Sequence, residues 1–256
     1  MKAVPILTYH SLDDTGSVIS TAPAAFRSQM RQLRDRGYQG ISLGALLDAW
    51  DGGAPLPARP VVLTFDDAFG SVGEVAAPVL CEVGFRATIF AVAGYCGREN
   101  DWPTQGVGAP RLPLLSWSQL NALASDGFEI GSHGLNHAPL DRLGRAEARA
   151  EIADSRKRLE DGLSRSVTLF AFPYGVADRA SRELVATHYR AACSVEMATA
   201  RPGDDRHWLP RIDAHYLGPD VIFPLFGTPL GRLYLGLRAL GRRGRSALGL
   251  SLGPRP

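Results

Sequence analysis

Only three cysteines occur in the 256 residues, and Cys81, Cys96 and Cys193 stand far apart with no CxxC pair. A disulfide-built scaffold is thereby excluded, and the expectation is three reduced, buried and inert thiols. No apolar run reaches the roughly 20 residues that a membrane-crossing helix needs. The opening Met1-Lys2-Ala3-Val4-Pro5-Ile6-Leu7 turns polar by Ser11, Asp13 and Asp14 without forming a secretory apolar core, so a cytoplasmic location is the expectation. Internal repeats and low-complexity tracts are also missing. With 45% hydrophobic and 21% charged residues, wholesale disorder, collagen-like and coiled-coil structures are excluded.

Acidic residues are absent from one end. From Thr228 to Pro256 there are six arginines (Arg232, Arg238, Arg242, Arg243, Arg245 and Arg255) and no Asp or Glu. The formal charge of +2 therefore conceals a body, Met1–Gly227, with 22 bases against 26 acids, and a tail carrying +6. A net acidic body without a recognisable binding motif argues against a nucleic-acid partner. We read 1–227 as one folded unit and 228–256 as a basic tail.

Short β-rich runs alternate with helical patterns along the body. Strands are expected at Ala3–Tyr9, Pro60–Phe65, Ala87–Ala93, Phe128–Gly131, Val167–Phe172, Arg190–Val195 and Trp208–Ile212. Val61-Val62-Leu63-Thr64-Phe65 is apolar on both faces, as a parallel strand covered by helices should be. Between the strands, Phe26, Met30 and Leu33 recur at helical spacing, as do Val72, Val75, Val79, Leu80 and Val83. Ser116 with Gln119 reads as a capping box, and Arg145–Leu163 as a charged helix with a thin apolar face. About seven β/α units predict a single-domain α/β fold, a distorted (β/α) barrel of about seven parallel strands. Gly97–Pro113 breaks the rhythm with Gly and Pro and no periodicity, and is placed as a wall of a substrate groove.

Five polar clusters fall at the carboxyl ends of these strands: Tyr9-His10, Asp66-Asp67, His133 to His137, Pro173-Tyr174, and Arg211 to Asp213. Parallel α/β folds place their chemistry at that edge. Each cluster alone also admits a structural role: Asp-Asp can be a turn, and a single His a hydrogen-bonded core residue. Two adjacent carboxylates can divide the work of metal ligand and general base. Histidines at i and i+4 share one side of a helical turn and can hold one ion. With Asp67 added, the set offers two imidazoles and a carboxylate with positions left open, which suits a catalytic Zn²⁺ or another divalent ion such as Co²⁺, Ni²⁺ or Mn²⁺.

Thr64-Phe65-Asp66-Asp67, His133-Gly134-Leu135-Asn136-His137 and Phe170-Ala171-Phe172-Pro173-Tyr174-Gly175 resemble, in order, three motifs of the polysaccharide deacetylases of carbohydrate esterase family four. The chain departs from that family at Ala171, where an Arg that orients the base is usual, at Gly134, where Ser or Thr is usual, and in having no Leu-x-His signature near its C-terminus. Tyr9-His10-Ser11 and Leu209-Pro210-Arg211-Ile212-Asp213 are instead similar to the branch acting on poly-N-acetylglucosamine-type glycans. The resemblance implies a metal-dependent hydrolase acting on an N-acetylated oligo- or polysaccharide, while a basic tail without a secretory segment would fit a lipid- or nucleotide-linked sugar. It implies Asp67, His133 and His137 as metal ligands, Asp66 as base and His10 as acid. Arg211 would pair with Asp66, and Tyr174, Pro173 and Asp213 would line the substrate and oxyanion side. Two alternatives remain in view: a cyclic amide or ureide hydrolase of the same superfamily, and an inactive glycan-binding module.

In the tail, Leu230, Leu233, Tyr234 and Leu237 recur at i, i+3, i+4 and i+7 among arginines. This is either a basic amphipathic helix in peripheral contact with a membrane through 228–245, at the inner face, or an ordinary terminal helix packed on the barrel.

Overall fold

The structure, a computed structural model, describes residues 2–106, 109–218 and 222–247, with no side chains after Gly241. At its centre is β3 (Pro60–Phe65), buried along its whole length. Seven further strands surround it: β1 (Ile6–Tyr9), β2 (Gln39–Ile41), β4 (Thr88–Ala91), β5 (Glu129–Ser132), β6 (Leu169–Ala171), β7 (Ala191–Cys193) and β8 (Ile212–Asp213). The order is β7-β6-β5-β4-β3-β1-β8, every pairing is parallel, and β2 and β4 take successive parts of one edge of β3. The ring approaches closure where Cys193 bridges Leu209. Pro210, lacking an N–H, then breaks the ladder before β8 pairs with β1. The expected distorted barrel is thus present, with one strand more than the sequence pattern predicts. That strand, β2, is only three residues long and contains Gly40, too little for any periodicity to show.

Side chains alternate across this wall. Val61, Leu63 and Phe65 of β3 join the large cluster under the helices, while Val62 joins Ile6, Phe90, Leu169, Ala171 and Cys193 inside the barrel. The amino end of the barrel is plugged by α2 (Leu43–Trp50), which contributes Leu43, Leu46, Leu47 and Trp50 to the inner cluster. Its first turn is held by the half-buried Glu129 carboxylate, which accepts from Gly44 N–H at 2.9 Å and from the Thr88 hydroxyl at 2.7 Å. One end is sealed, so the chemistry belongs at the other.

The outer layer includes α1 (Pro23–Asp35), α3 (Ala77–Glu82), α4 (Trp117–Ser125), α5 (Arg145–Arg149), α6 (Ser155–Leu163), α7 (Arg179–His188) and α8 (Pro229–Ala247). The capping box at Ser116 and Gln119 is formed. The expected helix over Arg145–Leu163 is interrupted by a π-helical segment, Ala150–Asp154, and a second π segment, Val72–Ala76, precedes α3. All three cysteines are free, but Cys81 lies exposed on α3, contrary to the expectation that all are buried. Its apolar neighbours Val79 and Leu80 take the inward face of that short helix. Burial pushes the thiols of Cys96 and Cys193 up to about 12, which keeps both protonated.

Candidate active site

The alternation of β3 points Val62, Thr64 and then Asp66 into the barrel mouth. Asp66 is buried, and Arg211 answers it with two parallel hydrogen bonds, Nη1 to Oδ1 at 2.7 Å and Nη2 to Oδ2 at 2.8 Å. Arg211 is itself buried, donates from Nε to Ser194 O at 3.0 Å, and lies over the Phe90 ring. Burial alone would raise the Asp66 carboxyl, but the Arg211 guanidinium outweighs it and holds Asp66 well below the usual carboxylate range. The position where an Arg is usual is taken by Ala171, whose small side chain sits in the inner cluster. Arg211 thus reaches Asp66 from the segment entering β8. The imidazole Nε2 of His10 stands 3.9 Å from Asp66 Oδ2.

Beside this pair, Asp67 turns away from the strand at φ 67°. Its Oδ1 lies 3.2 Å from His137 Nε2 and 3.5 Å from His133 Nε2. One ligand atom from each of the three residues falls within 4.8 Å of the others, and all three residues are buried. His133 Nδ1–H donates to Ala171 O at 2.8 Å, which fixes the tautomer and leaves Nε2 with a free lone pair. Burial, only partly offset by Asp66, lowers His133 to about 4, so the ring is neutral at ordinary pH. Asp67 is likewise kept ionised against its burial by His137 and His133. Yet its Oδ1 accepts no hydrogen bond. A buried carboxylate oxygen with no donor, faced by two imidazole nitrogens, is the donor set of a divalent cation, and the residues present fit one.

The two histidines do not meet on a helical turn, as their spacing predicts. Residues 133–137 form a loop, with Gly134 at φ 83° and His137 at φ 57°. The reason is Glu151, buried on the π-helical segment. Its carboxylate accepts from Leu135 N–H at 2.9 Å, Asn136 N–H at 2.9 Å and the Asn136 side chain at 2.8 Å. A Cβ at position 134 would stand 2.8 Å from Glu151 Oε2, so the serine or threonine usual there has no room. The extra residue of a π turn re-aims a helix face, and here it delivers Glu151 inward.

Gly97–Pro113 supports the site from the other side. Asn100 is fully buried and ties this segment together, donating to Pro110 O and accepting from Leu112 N–H. Trp102 stacks on the His137 ring at 4.3 Å, and the Thr104 hydroxyl donates to His137 O at 3.0 Å. The Tyr174 hydroxyl donates to Thr104 O at 2.8 Å, and its ring meets His137 edge-on at 4.5 Å. Asp67, Ala68, His137 and Tyr174 are four of the five described non-glycine residues at positive φ. Each costs of order 1–2 kcal/mol, which the packing around the site sustains.

Of the residues expected at the rim, Asp66, Asp67, His133, His137, His10 and Arg211 come together here. Tyr174 and the buried Pro173 flank them. Tyr9 points outward, donating to Gln29 at 2.8 Å. Asp213 accepts from His215 N–H and caps the turn after β8. Glu151 and Trp102 are the supporting residues that sequence reasoning passes over. Only the proximity of Trp102 to the irregular segment hints at the second.

The polysaccharide deacetylase family model matches residues 53–191. The chain is 29% identical to YxkH of Bacillus subtilis over 173 residues, 67% of this chain and 57% of that protein. To the poly-β-1,6-N-acetyl-D-glucosamine N-deacetylase of Escherichia coli K12 it is 36% identical over 136 residues, 51% of this chain and 20% of that protein. It therefore spans about half or less of the length of these relatives. Among solved structures, the Streptococcus pyogenes deacetylase PplD in complex with acetate superposes with a TM-score of 0.73 at 22% identity, covering 91% of this chain and 97% of that one, a likeness of fold. Matched over more than half its length, and with the family's three motifs gathered in order at one barrel mouth, the chain belongs to the polysaccharide deacetylase family.

Proposed function

We propose that the protein is a metal-dependent hydrolase that removes N-acetyl groups from an amino-sugar-containing glycan or glycoconjugate. The observation that carries this reading is the donor-less Oδ1 of Asp67 between two imidazole nitrogens, next to a second carboxylate held ionised by Arg211. Asp67, His133 and His137 would hold the ion. A divalent cation there, Zn²⁺ foremost, supplies Lewis acidity to the acetyl carbonyl and to the attacking water.

The remaining steps belong to the chain's own side chains. Asp66 takes a proton from the attacking water, and the double hydrogen bond from Arg211 fixes the carboxylate in one orientation. His10, partly exposed at the mouth, gives a proton to the departing amine. In this reading the backbone N–H of Tyr174 would stabilise negative charge on the carbonyl oxygen, and Pro173 and Asp213 would border the sugar. The match to named N-deacetylases supports the amide over an ester as the bond broken, and the complete ligand set favours an active enzyme over a binding module. Asp66→Asn is expected to retain bound metal and lose about 10²–10⁴-fold in turnover, and His133→Ala to lose the metal. Metal analysis with acetate release reads both, and full activity in both variants would refute the assignment.

A further inference from the structure

Burial divides α8 into two faces. Toward the barrel, a Cβ on Gly231 would stand 2.0 Å from Leu225 O, the Tyr234 hydroxyl donates to Tyr216 O at 3.0 Å, and Leu235 packs on the main apolar cluster. On the other side, Leu230, Leu233, Leu237 and Leu240 are 57%, 59%, 62% and 68% exposed. Spacings of three, four and three keep these leucines on one strip, about 15 Å long at 1.5 Å per residue. Tyr234, which the sequence pattern groups with that strip, belongs instead to the packed face. Four leucines left on one side of one helix are a contiguous apolar surface of the kind that marks an interaction site.

Direction and charge narrow the partner. Phe226, just before α8, packs on Tyr38 at the amino edge of the barrel, and Tyr234 bonds to Tyr216, just beyond the carboxyl end of β8. The helix thus climbs from the sealed end toward the open end. From Thr228 onward the chain carries six arginines and no acid. A second copy of the chain would cover the leucines but bring two arginine sets together. A soluble polyanion would neutralise the arginines but leave the leucines in water. An anionic bilayer surface uses both. No helix among the described residues is long and apolar enough to cross a membrane, so such a helix lies in the plane of the interface.

We propose that α8 is a peripheral anchor that docks on an anionic lipid bilayer, with Leu230, Leu233, Leu237 and Leu240 at the acyl boundary and the positive charge of the basic terminal segment drawing it to the anionic surface. The inference is independent of the reaction assigned above. It is tested by co-sedimentation of the full chain with vesicles of phosphatidylglycerol and phosphatidylcholine in equal parts, against vesicles of phosphatidylcholine alone.

The expected result is partitioning that favours anionic vesicles at least tenfold, weakens as salt is raised, and falls at least tenfold in Leu233→Glu/Leu237→Glu with the thermal midpoint unchanged. If that variant does not fold, Arg242→Ser/Arg243→Ser carries the same test, with several-fold weaker binding expected. No binding to anionic vesicles, equal binding to neutral ones, or unchanged binding in the variants would overturn the proposal. So would a wild-type dimer, seen by sedimentation velocity, that Leu233→Glu/Leu237→Glu dissociates while vesicles capture neither protein.

Discussion

Burial alone would raise the Asp66 carboxyl, and the side chain that chiefly outweighs it is Arg211, with His133 and His10 acting in the same direction. Removing one partner of a buried, doubly hydrogen-bonded ion pair strands the other, at a cost of about 3–5 kcal/mol. Arg211→Met should therefore lower stability by about that amount in urea unfolding. In the Asp66→Asn background the same substitution should cost much less, because no charge is left behind. Additive losses would mean that the pair is not coupled as the hydrogen bonds indicate. His133 gives a pH signature. Its folded value of about 4 lies below the ordinary 6.5, so between those values the unfolded chain binds the proton and the folded chain does not. Stability of the metal-free protein is therefore full above about pH 6.5 and declines as pH falls toward 4. Thermal unfolding of chelated protein across that window should show the decline, and His133→Gln should flatten it.

At the scale of elements, the site is held by segments that depart from regular structure. The π turn at Ala150–Asp154 brings Glu151, the segment 97–113 brings Trp102 and Thr104, and the loop of His133–His137 carries both histidines of the candidate metal site. Glu151→Gln replaces an acceptor of several N–H groups with one that also presents an NH₂ to them. Zinc affinity measured by calorimetry should drop about 10–100-fold while the circular dichroism spectrum is retained. An unchanged affinity would reduce Glu151 to a packing residue.

These same elements mark the boundary of what was legible beforehand. The Asp66-Asp67 strand end was readable because it follows the near-continuous apolar run of β3, and the two histidines because they follow a short strand at the next step of the β/α rhythm. Arg211 as the partner of Asp66 could be anticipated from the vacancy at Ala171. Glu151 could not, since one acid in a charged helix is indistinguishable from its solvated neighbours until the π turn places it inside. Nor could the loop path between His133 and His137, where i, i+4 spacing implies a helix and the φ 83° of Gly134 forbids it. The strip on α8 was legible as a periodicity, but which of its members face the barrel is decided by contacts with Leu225 and Tyr216, far from any local signal.

Taken as a whole, the molecule is a barrel sealed at its amino end by α2 and open at its carboxyl end, where β3 carries Asp66 and Asp67 and strands on either side of it supply Arg211 and, with the Tyr174 turn, His133. The acidic body is followed by a basic terminal segment, for which the leucine strip of α8 supports the proposed docking. The central claim, that the cluster at the open end hydrolyses N-acetyl groups with the help of a bound cation, is tested most directly by acetate release from N-acetylglucosamine oligomers. The protein is assayed as isolated, after chelation, and after readdition of one equivalent of Zn²⁺. Acetate release that is abolished by chelation, restored by the single equivalent, and absent from metal-loaded Asp66→Asn is the predicted result. Equal release by the chelated protein or by Asp66→Asn, or no acetate from any N-acetylated sugar at full metal occupancy, would contradict it.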